Sequence, residues 1–133
     1  MNKQKILGVD FGSKRVGLAI SDENQSVAFP LAVIPNTADL ADIIEKVAIE
    51  NAAHVIVVGE SRDYKGEANQ ILKKTQELAT ELKKKGFTVI FEPEFMTSIQ
   101  AERLQGKNDM IDASAAALIL QSYLDKQRLE IRE

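Results

Sequence analysis

The sequence predicts an α/β fold: a mixed five-stranded sheet, opened by a three-strand antiparallel meander and flanked by helices on both faces. Three observations predict it. Apolar and polar residues alternate in three short segments within the first 34 residues, separated only by turn residues. Two later β-rich runs, Val55-Ile56-Val57-Val58 and Phe87-Thr88-Val89-Ile90-Phe91, read as further strands. Each follows a segment whose apolar residues recur at three- and four-residue spacing, the mark of an amphipathic helix. Strands that alternate with helices in this way pair in parallel, whereas strands joined by tight turns pair antiparallel.

Taken in order, the alternation places strands at 5–10, 15–21 and 26–34. Gly12-Ser13-Lys14-Arg15 turns between the first two and Asp22-Glu23-Asn24-Gln25 between the second pair. Pro35-Asn36-Thr37 stops the sheet and caps a helix over about 38–52, with Leu40, Ile43, Ile44, Val47 and Ala48 on one face. His54 leads into the fourth strand, whose unbroken β-branched run suits a central strand covered on both sides. A second helix spans Glu67 to Lys85, with Ile71, Leu72, Leu78 and Leu82 inward and Gly86 as its stop. The fifth strand covers 87–91. Thr97 or Ser98 caps a short helix through Leu104, and a last helix runs from Asp109 to Lys126. This is the element order of the ribonuclease H-like fold, in which the first strand is central and Asp10 stands near the middle of one sheet edge.

Length and composition limit the function. The 133 residues suit one domain spanning 1–133, with an apolar share of 44% that supports an ordinary core. The absence of cysteine excludes disulfides, thiolate zinc sites and cysteine nucleophiles. The Met-Asn-Lys-Gln-Lys start lacks the apolar stretch of a signal peptide, and the run Ala113–Leu120 is too short to span a bilayer, so a cytoplasmic protein with no membrane partner is expected. A net charge of −3 does not match an overtly basic nucleic-acid-binding domain. The lysines at 73, 74 and 83–85 read as a solvated helix face. Lys14 and Arg15 differ because they sit beside Asp10.

Asp10 ends the first strand within Val9-Asp10-Phe11-Gly12-Ser13-Lys14-Arg15-Val16-Gly17. A carboxylate at a strand end can hold a divalent cation, while turn N–H groups and neighbouring cations hold phosphate. In isolation such an aspartate is a turn residue bonded to local N–H groups; the adjoining lysine, arginine and glycines favour the functional reading. Asp112 is the second candidate. It stands in a nearly all-apolar helix, in line with Ala115, Ala116 and Ile119, where a charge without compensation is costly. The competing reading, a first-turn aspartate facing the helix dipole, weighs equally on local grounds. A two-metal phosphodiesterase holds its ions about 4 Å apart and needs a third carboxylate. Glu60, Glu92 and Glu94 compete for that role, and the residues alone leave the choice open. His54 has no ligand-like partner and reads as structural. Thr97 and Ser98 read first as caps and second as phosphate contacts.

With these residues in place, the chain resembles the YqgF/RuvX family of Holliday junction resolvase-like and pre-16S rRNA nuclease proteins over nearly its whole length. Val9–Ala19 is similar to the family's Asp-x-Gly-x-Lys-Arg-x-Gly-x-Ala signature. Ile111-Asp112 through Ala115-Ala116, then Ile119-Leu120-Gln121-Ser122-Tyr123-Leu124, is similar to its Val-Asp-x-x-Ala-Ala and Ile-Leu-Gln-x-Tyr-Leu close. The resemblance implies a ribonuclease H-like nuclease with Asp10 and Asp112 as metal-binding carboxylates. Two departures stand out. The fifth strand of the family ends Asp-Glu-Arg-x-Thr, whereas Pro93-Glu94-Phe95-Met96-Thr97-Ser98 keeps only the glutamate, so Glu94 inherits the third-carboxylate role and a phosphate-binding arginine is missing. The usual Gly-Leu-Pro after the fourth strand is Gly59-Glu60-Ser61, and RuvC-type resolvases carry a carboxylate in that region, which makes Glu60 a fourth ligand or a replacement. The segment between Leu104 and Asp109 is short.

The resulting expectation is a nuclease dependent on two Mg²⁺ or Mn²⁺ ions that acts on structured RNA, a pre-16S rRNA 5′ end foremost. Asp10, Glu94 and Asp112 are its catalytic carboxylates, Glu60 is a further metal candidate, and Lys14, Arg15, Thr97 and Ser98 bind substrate. A four-way DNA junction is the alternative substrate, and a catalytically degenerate RNA-binding domain the alternative class. An actin-like ATPase shares the opening hairpin, but that architecture duplicates the fold, and this chain is too short for two copies. A monomer or weak homodimer is expected.

Overall fold

The computed structural model describes residues 4–61, 67–94 and 109–132, and for a few of these, Glu94 and residues 109–112 among them, the backbone alone. Two short connections make the opening meander of β1 (Lys5–Phe11), β2 (Arg15–Ser21) and β3 (Ala28–Pro35). α1 (Leu40–Glu50) then leads to β4 (Ala53–Ser61), α2 (Glu67–Lys84) to β5 (Thr88–Glu94), and α3 (Asp109–Arg132) closes the described chain. The strand order is β3-β2-β1-β4-β5. β1 pairs antiparallel with β2 and parallel with β4, and β4 pairs parallel with β5, as the hairpins and helical crossovers require.

Alternation sorts the side chains of each strand onto two faces. Leu7, Val9, Leu18, Ile56 and Val58 point toward α1 and α2, where they meet Leu40, Ile44, Ala48, Leu78 and Leu82. Ile6, Ala19 and Val57 point the other way, against Ala116, Ile119, Leu120 and Leu124 of α3. Each fully buried aliphatic chain contributes roughly 1.5–3 kcal/mol before the entropy of ordering is counted. Gly8 lets α3 approach closely: a Cβ there would lie 2.8 Å from Leu120 Cβ and 3.2 Å from the Ala116 carbonyl oxygen. Among the described residues no helix is long and apolar enough to cross a membrane.

The boundaries differ from the sequence reading for local reasons. β3 begins at Ala28 because Asp22 closes the preceding turn. Its Oδ1 accepts the N–H groups of Ser26 (2.7 Å) and Val27 (3.1 Å), and its Oδ2 accepts the Ser26 hydroxyl (2.8 Å). Pro35-Asn36-Thr37 does not cap α1 as expected. Asp39 is the N-cap and makes no side-chain capping bond, and Thr37 Oγ1 donates to its carboxylate instead. Gly86, at φ +106°, ends α2 as predicted. α3 continues six residues past Lys126. His54 stands exposed within β4. The short helix expected from Thr97 or Ser98 to Leu104 lies outside the described residues.

Candidate active site

The β1–β2 hairpin places Asp10 opposite Gly17 at the far end of the central strand, with Gly12, Ser13 and Lys14 as its turn. A Cβ on Gly12 would lie 2.4 Å from the Arg15 carbonyl oxygen, so only glycine fits this turn. Asn36 clips the turn from outside. Its Nδ2 donates to the Gly12 carbonyl (2.8 Å) and its backbone N–H to the Lys14 carbonyl (3.0 Å). Here the residue read as a helix cap holds the hairpin that carries Asp10.

Asp10 shares a face with Ile6 and Gly8, the side covered by α3, and only 4% of it is exposed. Its Oδ2 atom is enclosed and accepts no hydrogen bond, although the residue has an interaction of its own. An enclosed carboxylate oxygen not satisfied by a donor suits a hard cation, which takes oxygen ligands. Lys14 is exposed and Arg15 half-buried at the start of β2. Both therefore lie within a few residues of Asp10 on the same hairpin.

Extending the β1–β4 register by one residue sets Asp10 level with Gly59, which is itself paired with Glu92 on β5. Asp10, Gly59 and Glu92 thus form one row across the sheet, about 10 Å from first to last at the usual strand spacing. Glu92 is 3% exposed and shares a face with Ile90, toward α3. Its Oε2 accepts the Ser122 hydroxyl (2.9 Å) and the Lys126 ammonium (2.6 Å). Sequence reasoning named Glu92 only as a competitor for a metal, and no local signal links it to a lysine 34 positions away. Alternation along β5 from Ile90 was the one available clue to its burial.

The remaining candidates fall in different places. Glu60 follows Gly59 and has the parity of Val58, whose side chain joins the α1–α2 side of the core; alternation sets it on the face opposite Asp10. The Glu94 backbone pairs with Ser61 at the end of β5, two residues beyond Glu92. Asp112 lies in the first turns of α3, one turn before Ala116. Thr97 and Ser98 lie outside the described residues. Among the described residues no three His, Cys, Asp or Glu side chains form a metal-binding group, a set that does not include the side chains of Asp112 and Glu94.

Residues 4–126 match the family model described as RuvX: Holliday junction resolvase. The chain belongs to the RuvX family. Among similar RuvX-family sequences, a protein of Lactobacillus delbrueckii subsp. bulgaricus named "Putative pre-16S rRNA nuclease" is 30% identical, over 95% of this chain and 99% of its own length. A protein of the same name from Carboxydothermus hydrogenoformans is 35% identical, over 91% and 96%. The fold is that of RuvC. The T. thermophilus RuvC structure in complex with Holliday junction substrate superposes with a TM-score of 0.60 at 14% identity, covering 94% of this chain and 96% of that one. The free Thermus thermophilus RuvC gives 0.56. The ribonuclease H-like architecture expected from the element order is the one found.

Proposed function

We propose that this RuvX-family chain is a metal-dependent nuclease that hydrolyses phosphodiester bonds of structured RNA, in 5′-end processing of pre-16S rRNA in the cytoplasm. The observation that carries the reading is Asp10, a buried carboxylate at the end of the central strand, on a hairpin stiffened by Gly12 and Asn36. The names of its relatives supply the substrate class.

Asp10, Asp112 and Glu94 would hold Mg²⁺ or Mn²⁺, one ion or two. The course of α3 supports the first pairing. Gln121 bonds to Ala28 and Ser26 at the start of β3, level with Ile6, and Ala116 lies over Gly8. Continuing in that direction leads the turn of Asp112 toward the Asp10 end of β1. Glu94 follows two residues after Glu92, which shares a sheet row with Asp10. Glu60 is left out of the proposed set because alternation puts it on the other face.

A bound divalent ion supplies Lewis-acid activation of water and neutralises charge gathering on the phosphate. The protein's own part is positional. The hairpin fixes Asp10 against the α3 face. Lys14 and Arg15 hold the substrate phosphate in line with the site, and Thr97 and Ser98 are proposed to contact its backbone. Hydrolysis leaves a 5′-phosphate and a 3′-hydroxyl.

The description of the matching family model favours a second reading, cleavage of a four-way DNA junction. Incubating the protein with Mg²⁺ and either a labelled pre-16S rRNA 5′ leader or a four-way DNA junction tests both. Site-specific cleavage of the leader is expected. Cleavage of the junction alone would replace the RNA reading with the DNA one, and cleavage of neither in Mg²⁺ or Mn²⁺ would refute the nuclease assignment.

A further inference from the structure

A shallow, open depression of about 360 Å³ lies on the side of the hairpin away from Asp10. We propose that it receives one unpaired base of the substrate strand, recognised through the exocyclic amino group of that base. The proposal rests on the nuclease reading, because the hairpin wall of the depression is the one that carries Asp10.

Its lining is mixed, with half-buried Phe11 and the buried Leu40 and Leu78 among polar residues. Phe11 follows Asp10 directly, so alternation sends the two side chains to opposite faces of one strand end. A nucleotide strand lying over that end can set a phosphate at Asp10 and turn a neighbouring base onto Phe11. Unpaired bases are bound in this way, stacked on aromatic rings and read along their polar edges.

The rim selects among ligands. Lys74, Glu77 and Glu81 of α2 reach the opening with one positive and two negative charges, which disfavours a phosphate in the depression. Carboxylates accept from the amino groups of adenine, cytosine or guanine, and uracil has none to give. Lys74 and the Ser13 hydroxyl can donate to ring nitrogens and carbonyls. A neutral base, which carries both donors and acceptors, matches a rim of both signs. Asn36 lines the same depression while holding the Gly12 and Lys14 carbonyls, so a docked base rests against the clip of the catalytic hairpin.

The test compares two single-stranded oligouridylates with one central substitution, adenosine or purine riboside, which lacks the amino group. Affinity is read by fluorescence anisotropy in Ca²⁺, which is expected to leave the RNA uncleaved. Wild type should prefer adenosine by about tenfold, in the range of hydrogen bonds to charged groups. The exposed-site double variant Glu77→Ala/Glu81→Ala should reduce that preference to about twofold or less. Equal binding of both RNAs by wild type would overturn the proposal, as would a preference that survives the double variant. Asp10→Asn separates the two levels of inference: it should abolish cleavage and keep the adenosine preference. A wild type that prefers adenosine but cleaves no nucleic acid would refute the nuclease reading alone.

Discussion

At the scale of the residue, Asp10 is placed at a cost to folding. It is a carboxylate only 4% exposed, one oxygen of which accepts no hydrogen bond, and desolvation of that oxygen opposes folding. In metal-free buffer Asp10→Asn should therefore unfold at a urea midpoint no lower than wild type, with any gain on the order of 1 kcal/mol. A large loss of stability would mark Asp10 as a structural residue. Asp22 is the contrasting case, half-buried and committed to a turn. The Val27 N–H, then the Ser26 N–H and hydroxyl, hold its carboxyl below its ordinary value of 3.8. Its folded-state pKa is depressed, so its contribution to stability is present above the unfolded value and fades as pH falls through the lower folded one. An NMR titration of the Asp22 carboxyl carbon should give a midpoint below 3.8, and Ser26→Ala should raise it.

At the scale of the element, the site depends on how α3 lies on the sheet. Gly8 sets the approach, with Leu120 Cβ and the Ala116 carbonyl filling the space a side chain would take. Gly8→Ala forces the helix outward and should cost about 1–3 kcal/mol by overpacking. If α3 carries a ligand in Asp112, the same change should weaken Mn²⁺ binding in calorimetry more than Ile6→Val does. The Glu92–Lys126 pair ties β5 to α3 at the other side. Lys126→Met leaves Glu92 buried with only the Ser122 hydroxyl and should destabilise by about 1–3 kcal/mol in urea, less than for a fully buried pair because Lys126 is half exposed. Glu92→Gln in the same background should recover part of that loss. These couplings explain what sequence could and could not convey. Strand alternation and helical spacing are local, so the elements and the Asp10 hairpin were legible. The Glu92–Lys126 pair joins residues 34 apart, and the clip from Asn36 to Gly12 spans 24, so neither leaves a periodic trace. Glu60 appeared equivalent to Glu94 as a strand-end acid, and only the register of β4 assigned it to the other face.

At the scale of the molecule, a net charge of −3 cannot supply affinity for a polyanion by itself. Binding should then depend on divalent ions and on the few cations beside the hairpin, and EDTA should weaken RNA binding as well as stop cleavage. The lysines of α2 at 73, 74, 83 and 84 are exposed, the solvated face expected of them, while Lys85 bonds Asp42 and Glu45 and fastens α2 to α1. The arrangement is a two-faced sheet with a buried carboxylate, Asp10, at the end of its central strand. The account stands or falls on the convergence of carboxylates on that strand end. Its most direct test is Mn²⁺-dependent cleavage of a pre-16S rRNA 5′ leader by wild type and by Asp10→Asn, with Mn²⁺ binding followed calorimetrically in both. The account predicts cleavage and saturable Mn²⁺ binding in wild type, with both lost in a folded Asp10→Asn protein. Cleavage that persists in Asp10→Asn at wild-type Mn²⁺ affinity would contradict it.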